Sequence, residues 1–292
     1  MKPALILSKH RRAKLVKILG KDFLLGCDPE IFVKNKKGEP VGAWDLMPGT
    51  KMEPYKVPGG MVQVDGMALE FGVDPCENKK EFISKIKQVK TTLQKMLPKG
   101  YELLLEPVVR FSEAEMKRAP EAALELGCDP DYSGYTGSKN PSPKLPAFNM
   151  RSAGGHVHIG WGTGFDRLSK DFIIACCPLA VELDYFLGVP SLHWDSNTER
   201  RAIYGAPGAF RPKSYGMEYR SLSNQWLKSD EYIGFVFDAT VKAITSVAMN
   251  PISVKGPKYY NSKQLTASAV IKSGLKSIGN DNFRKLKASF NV

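Results

Sequence analysis

Three pairs of polar side chains stand out in this sequence, because each is spaced two residues apart among apolar neighbours. The pairs are Asp28 with Glu30, His156 with His158, and Glu218 with Arg220. Alternate residues of a β-strand point to the same face of a sheet, so the two members of each pair would share a face. If the three strands are neighbours, the pairs form one polar concave surface. A further strand-like segment at 64–71 adds Asp65 and Glu70.

The residue types in this set are those of a metal site. The candidate ligands are Glu30, Glu70, Glu218 and His156, followed in a second tier by Asp28 and Asp65. Oxygen-rich ligand sets favour Mg²⁺, with Mn²⁺ as the alternative. Each pair also has a plain structural interpretation as a solvent-facing or salt-bridged pair, which contributes little to stability.

The histidines allow a different metal. His156, His158 and His193 would form a zinc hydrolase site if the chain brought them together, because three histidines around one open position are typical of catalytic zinc. The sequence spacing gives no reason for His193 to approach the other two. Zinc therefore ranks as the second interpretation of these residues.

Cations gather shortly before and within the last pair. They are Arg200, Arg201, Arg211, Lys213 and Arg220, with Gly205, Gly208 and Gly216 between them. Guanidinium groups bind phosphate oxygens in bidentate fashion, and glycines allow close approach of the backbone. The pattern predicts a metal–triphosphate site. An ordinary surface loop with salt bridges is the alternative.

Several function classes are excluded by missing motifs. The sequence has no P-loop, no G-x-S-x-G element and no kinase signature set. Its five cysteines show no C-x-x-C spacing, which indicates reduced thiols and not a disulfide frame. No apolar run approaches the length of a membrane span. These features predict a cytoplasmic protein without a membrane span.

The elements that must position these residues are strands in hairpins and a few long helices. We predict strands over 23–34 and 61–73, the second interrupted at Gly66, and helices over 77–97, 165–187 and 229–251. This order favours an α+β fold with a mainly antiparallel sheet.

Two segments, 112–150 and 188–216, are predicted to be loops. The first contains Tyr132, Tyr135 and Asn140 and is expected to close over the site as a lid, because loops of this length in compact domains are usually functional.

The basic residues lie mainly at the two ends of the 292-residue chain, whose formal net charge is +12. We predict a basic N-terminal segment at 1–22, a catalytic domain at 23–250 and a basic, helical C-terminal segment at 251–292. Basic ends suit weak contact with nucleic acid or an anionic surface. The alternative is that they are solvated faces that keep the protein soluble.

Taken in order, the motifs resemble those of the glutamine synthetase and glutamate–cysteine ligase superfamily. More narrowly, the chain is similar to the phage-encoded carboxylate–amine ligases, the type 2 amidoligases. The segments that carry the resemblance are 25–30, 64–71, 125–132, 151–160 and 208–220. Asp28 departs from the pattern, since the synthetases have a longer Glu at this position.

This resemblance implies a glutamine synthetase-like catalytic half-barrel of mainly antiparallel strands flanked by helices, with ATP and two or more Mg²⁺ ions in its mouth. It implies that Glu30, Glu70, Glu218 and His156 bind metal and that Glu218 takes part in catalysis. Arg211 and Arg220 would bind phosphate or an acyl phosphate, and His158 would contact the nucleotide or support a ligand.

The implied reaction is ATP- and Mg²⁺-dependent formation of an amide bond, through an acyl phosphate, between a small-molecule or peptide carboxylate and an amine. A phage-encoded enzyme of this kind would act in the cytoplasm of an infected host cell. The alternative is a catalytically inert nucleic-acid-binding or virion-associated protein that retains the fold.

Overall fold

The computed structural model describes residues 23–125, 131–142, 144, 146–249 and 266–290. The predicted basic segment at 1–22 lies outside the described residues, as do 126–130 and 250–265. The predicted C-terminal segment is described from residue 266 to residue 290.

The described strands are numbered in chain order. They are β1 (Leu24–Cys27), β2 (Glu30–Lys34), β3 (Pro40–Val41), β4 (Tyr55–Val57), β5 (Gly60–Asp65), β6 (Ala68–Val73), β7 (Glu102–Leu104), β8 (Val108–Arg110), β9 (Tyr132–Ser133), β10 (Met150–Ser152), β11 (Val157–Gly160), β12 (Ala209–Lys213) and β13 (Gly216–Tyr219). The α-helices are α1 (Lys79–Met96), α2 (Glu113–Arg118), α3 (Glu121–Leu124), α4 (Lys170–Leu183), α5 (Thr198–Ile203), α6 (Asp230–Met249), α7 (Ala267–Ser273) and α8 (Lys276–Phe290).

One antiparallel sheet carries most of the predicted polar pairs, in the strand order β1-β11-β13-β12-β9. His158 lies opposite Gly26 on one side and Glu218 on the other, and Glu218 lies opposite Arg211. Directly opposed residues point to the same face of a sheet. The predicted polar face is therefore present, and strand register builds it.

A second antiparallel sheet, in the order β3-β2-β6-β5-β4 with β7 also paired to β2, supplies the remaining acidic residues. Glu30 lies opposite Glu70, which in turn lies opposite Gln63. The amide of Glu30 donates to the carbonyl of Gly154, so the two sheets are joined next to the histidine strand. The predicted α+β class, a curled half-barrel of mainly antiparallel strands flanked by helices, is confirmed.

Helix α1 packs against the strands because its apolar residues recur at the helical period. Phe82, Ile86, Val89 and Leu93 are buried, and the side chain of Asn78 accepts a hydrogen bond from the amide of Glu81 at the N-terminus. The ring of Phe82 stacks on Trp226 at a centroid distance of 6.2 Å. This contact fixes α1 against the segment that follows β13.

Helix α4 contains Pro178 and continues into a π-helical turn, Asp184–Gly188. The prediction that no apolar run approaches the length of a membrane span is wrong for the helical run Lys170–His193, which is long and apolar enough by length and composition. In the structure, 72% of its most apolar stretch is buried inside the protein. Burial of this kind is typical of a core helix, and α4 packs on α6 in this structure.

The structure corrects both predicted loops. Residues 112–150 contain α2, α3, β9 and β10, and β9 pairs with β12. The hydroxyl of Tyr135 donates to buried Asp184 over 2.7 Å, and Asn140 donates to Asp131. These residues are part of the packed fold, so the lid prediction is wrong for them. Residues 188–216 contain α5 and β12, which are too short to give a periodic signal.

Candidate active site

A cavity of about 720 Å³ is lined by residues of both sheets. Its acidic residues are Asp28, Glu30, Asp65, Glu70 and Glu125. Its basic residues are Lys51, Arg151, Arg200, Arg211, Lys213 and Arg220, together with His156. Anionic and cationic groups therefore share one chamber, which suits a ligand that carries both metal ions and phosphates.

The first potential metal centre is a triad of Asp28, His156 and Glu218. Each offers one ligand atom, and these atoms lie within 4.8 Å of one another. The Nδ1 atom of His156 is 3.3 Å from the Asp28 carboxylate and 3.3 Å from that of Glu218. The shorter Asp28 side chain thus reaches the triad despite its departure from the family pattern.

The backbone before His156 is closely packed, which explains why it contains glycines. A Cβ atom on Gly155 would lie 2.3 Å from the carbonyl oxygen of Ser223. The indole nitrogen of Trp226 donates to the Gly155 carbonyl over 3.1 Å. A larger residue at 155 would push the histidine strand away from the segment that follows Glu218.

The second potential metal centre is a triad of Glu30, Asp65 and Glu70, whose ligand atoms again lie within 4.8 Å of one another. The amide of Gly154 donates to Glu30 over 2.7 Å, and Gln63 donates to Glu70 over 2.9 Å. Burial, with the charges of its neighbouring carboxylates, raises the pKa of Glu70 well above its usual value.

The donor atoms fit hard divalent cations. Within the part of the chain that the structure describes, Asp28 Oδ1, His158 Nε2 and Glu218 Oε2 are buried without a hydrogen bond of acceptable geometry. Asp28 Oδ1 nevertheless lies only 2.9 Å from His158 Nε2. Asp28 Oδ1 and Glu218 Oε2 belong to the first triad and are suited to a shared ion, whereas His158 is a member of neither triad. The carboxylate-rich chemistry of the triads favours Mg²⁺ or Mn²⁺.

Cations surround the Glu218 carboxylate. Lys213 Nζ lies 2.8 Å from it, Arg211 Nη1 lies 3.5 Å from it, and Arg220 Nη1 is in direct contact. Burial and Asp28 act to raise the pKa of Glu218, but Arg220 and the two strand histidines outweigh them and hold it well below its usual value. Glu218 is therefore ionised and holds the cationic side chains in place within the cavity.

Two buried arginines line the cavity and also brace its walls. Arg200 donates to the carbonyl of Ala153 over 2.8 Å and to that of Ser221 over 3.1 Å, and burial lowers its pKa to about 10. Arg151 donates to the carbonyls of Phe148 and Met150. The sequence did not single out Arg151, although it begins the Arg-Ser-Ala-Gly-Gly-His motif. Lys51 and Gln63 were also missed, since no motif marks them.

Three residues predicted for the site lie outside both triads and outside the cavity lining, and of these His158 keeps the supporting contact that was one of its two predicted roles. Arg201 donates to the carbonyls of Asn197 and Asp195 and does not line the cavity. His158 lies behind Asp28 and bonds the Tyr215 hydroxyl, so it supports a ligand and does not face the cavity.

His193 is the third. Its ring stacks on Phe283 of α8 at 4.2 Å, and its Nδ1 lies 2.7 Å from the Asn280 side chain. Neither triad includes it. The predicted zinc trio is not brought together, so the zinc hydrolase interpretation is wrong for this geometry.

No known family model matches this sequence, and no curated protein matches it. Solved structures with a similar fold include a bifunctional glutathione synthetase from Pasteurella multocida, at 10% identity and a TM-score of 0.47 over 97% of this chain. They also include GmaS in complex with ADP, at 12% identity and a TM-score of 0.43 over 96% of this chain and 74% of that one. A glutamine synthase homologue matches at 10% identity and a TM-score of 0.40, over 96% of this chain and 70% of that one.

The chain spans about half the length of the glutathione synthetase, since it covers 54% of that protein. All three TM-scores are below 0.5, so these structural similarities carry no argument about function. The function is inferred from the residues of the site.

Proposed function

We propose that this protein is a phage-encoded, ATP- and Mg²⁺-dependent carboxylate–amine ligase. The observation that carries the proposal is the placement of two ligand triads beside Arg211, Lys213 and Arg220: every triad member lines one cavity with these cations except Glu218, which is fully buried behind its wall. The sequence resemblance to the amidoligases supports the same function independently of the cavity geometry. The substrates are a small-molecule or peptide carboxylate and an amine.

Asp28, His156 and Glu218 would hold one metal ion, and Glu30, Asp65 and Glu70 would hold another. Such ions, when bound, neutralise phosphate charge and align the β- and γ-phosphoryl groups for in-line transfer. His158 orients Asp28 from behind, and Gln63 orients Glu70. Supporting contacts of this kind fix ligand carboxylates before an ion binds.

Arg211, Lys213 and Arg220 would bind the phosphoryl group. Their contacts with buried Glu218 hold them in position, so little reorganisation is needed when negative charge develops. In the first step an oxygen of the substrate carboxylate bonds to the γ-phosphorus of ATP and ADP leaves. In the second step the amine nitrogen bonds to the acyl carbon, inorganic phosphate leaves with the bonding electron pair, and the nitrogen loses a proton.

Calorimetry with a non-hydrolysable ATP analogue tests this proposal without knowledge of the acid or the amine. We expect Mg²⁺-dependent binding that Glu218→Gln weakens by at least roughly tenfold, about 1.4 kcal/mol. Glu102→Gln is the matched control, because Glu102 is an exposed carboxylate on β7 outside the cavity. A folded wild-type protein that binds no nucleotide would refute the ligase function.

The inert nucleic-acid-binding alternative draws on the basic ends. In the described C-terminal part, the exposed cations are Lys272, Lys276, Arg284, Lys285 and Lys287. Two of them already form ion pairs, Lys285 with Asp281 and Lys287 with Glu231. We propose only weak anionic contacts here. If nucleic-acid binding were the main function, its affinity would fall steeply with salt and would not depend on Mg·ATP.

A further inference from the structure

We propose that Lys51 is a built-in cation of the Glu30–Asp65–Glu70 triad, which competes with a divalent ion for Asp65 and so sets the affinity of this centre. The inference rests on the proposed metal-dependent function and concerns the regulation of that same site.

The fold places the Lys51 side chain directly beside the second triad. Its Nζ atom lies 2.7 Å from Asp65, the last residue of β5, and the side chain lines the cavity. Lys51 stands in the connection between β3 and β4, and Gly49 in this connection accepts a hydrogen bond from the amide of Val64 over 3.0 Å. This hydrogen bond joins the connection that carries Lys51 to β5, the strand that carries Asp65.

Gly49 makes this approach possible. Its φ of +100° is a conformation that glycine adopts readily, and a Cβ atom there would lie 2.4 Å from the carbonyl oxygen of Val62. The next residue, Thr50, donates its amide to the carbonyl of Glu53 over 3.1 Å and accepts from the amide of Glu53. These contacts close a tight turn that has Lys51 and Met52 at its centre.

The two triads differ in how many cations contact them. In the first, Glu218 forms salt bridges with Arg211, Lys213 and Arg220. In the second, three carboxylates lie together, and Lys51 is the cation that forms a salt bridge with them among the described residues. Gln63 and the amide of Gly154 donate to the second triad but bring no charge. This centre therefore depends on added positive charge.

The ammonium group of Lys51 opposes the binding of a second cation. A divalent ion in the second triad would meet an ammonium group already bound to one of its ligands, and like charges at such distances repel. Because the Lys51 side chain is 49% exposed, solvent screens this repulsion and limits it to about tenfold in affinity. When the ion binds, Asp65 exchanges the ammonium for the metal, and the released Lys51 side chain changes the surroundings of the neighbouring Met52.

Titration with Mn²⁺ alone, followed by calorimetry, tests the inference on the full-length protein. The Mn²⁺-binding event that is lost in the Glu70→Gln variant is the one that belongs to the second triad. We expect Lys51→Gln to tighten that event by about tenfold. Lys56→Gln on neighbouring β4 is the charge-matched control, since Lys56 is exposed and does not line the cavity; its Mn²⁺ affinity should equal that of the wild type.

A structural readout accompanies the titration. Met52 adjoins Lys51 and is 90% exposed, so its ¹³C-labelled methyl group reports on the turn. We expect Mg²⁺ to shift this NMR signal in the wild type and to leave it in place in Glu70→Gln. Unchanged or weaker Mn²⁺ binding in Lys51→Gln would overturn the inference, as would an unmoved Met52 signal in the wild type. A wild type that binds no Mn²⁺ at all would overturn the metal-dependent function and the role of Lys51 together.

Discussion

Asp184 offers a test of the electrostatics behind the cavity. It lies in the π-helical turn after α4 and is fully buried. Its Oδ1 atom accepts hydrogen bonds from the Tyr219 hydroxyl over 2.6 Å and from the amide of Gly208 over 2.9 Å, and Oδ2 accepts from the Tyr135 hydroxyl. Burial raises the pKa of Asp184 to about 6, although these donors partly offset the effect.

The sign of the resulting pH dependence follows from linkage. Because the folded protein binds this proton more tightly than the unfolded chain, the stabilisation it gives is complete below about pH 4 and is lost as pH rises through 6. A shift of about two pKa units corresponds to roughly 3 kcal/mol of unfolding free energy. Asp184→Asn resembles the protonated acid, since its amide oxygen still accepts from two donors and its nitrogen can donate to the Tyr135 hydroxyl.

We therefore expect Asp184→Asn to be more stable than the wild type by about 3 kcal/mol at pH 8 and nearly equal to it at pH 4. Urea unfolding followed by circular dichroism at both pH values measures this difference, in which the other titrating groups cancel. Asp45→Asn is the matched control at an exposed aspartate, and its difference from the wild type should be small at both pH values. A stability gap for Asp184→Asn that does not change between pH 4 and 8 would refute a raised pKa.

Three further predictions concern the frame of the site. Gly208→Ala should lose about 1 to 3 kcal/mol of unfolding free energy, because Gly208 has a φ of +65° and a Cβ atom would lie 2.9 Å from the Tyr135 ring; urea titration measures the loss. Arg200→Lys should lose about 2 to 4 kcal/mol of unfolding free energy in the same assay, because a lysine ammonium cannot donate to both carbonyl groups that the buried guanidinium contacts. Arg284→Lys, at an exposed position, is the control and should change the unfolding free energy little. Mg²⁺ at a hundredfold excess over its dissociation constant should stabilise the wild type by about 2.7 kcal/mol. Thermal unfolding should show this gain reduced in Glu70→Gln, and an equal gain in both proteins would exclude Glu70 as a ligand.

The strand-borne part of the site could be predicted because it depends on local alternation. The spacing of Asp28 with Glu30 and of Glu218 with Arg220 fixes which side chains share a face, whatever the tertiary structure. The hairpin at Gly66 was predictable for the same reason, since an alternating run interrupted by glycine favours a turn. Its φ is +60° in the structure.

The rest depended on short elements and on long-range pairing. Arg200 and Arg201 are adjacent in sequence, but successive side chains of a helix such as α5 point about 100° apart. Arg200 therefore lines the cavity, whereas Arg201 lies outside the lining and donates to the backbone carbonyls of Asn197 and Asp195. A segment predicted to be a loop gives no basis for that distinction. Lys51 reaches Asp65 through a tertiary contact between the β3–β4 connection and β5, and no local pattern specifies this contact.

The topology also sets when the site can exist during synthesis. The side chain of Asn224 donates to the carbonyl of Glu30, which precedes it by 194 residues, and β11 lies between the early strand β1 and the late strand β13. At typical elongation rates the ribosome needs roughly 10 to 40 seconds to make that stretch. During that time the early strands lack the strand that carries Glu218, and β11, once made, has an unpaired edge until β13 follows. Truncated products that end before β13 therefore lack the Glu218 triad, and this centre can form only after β13 has left the ribosome.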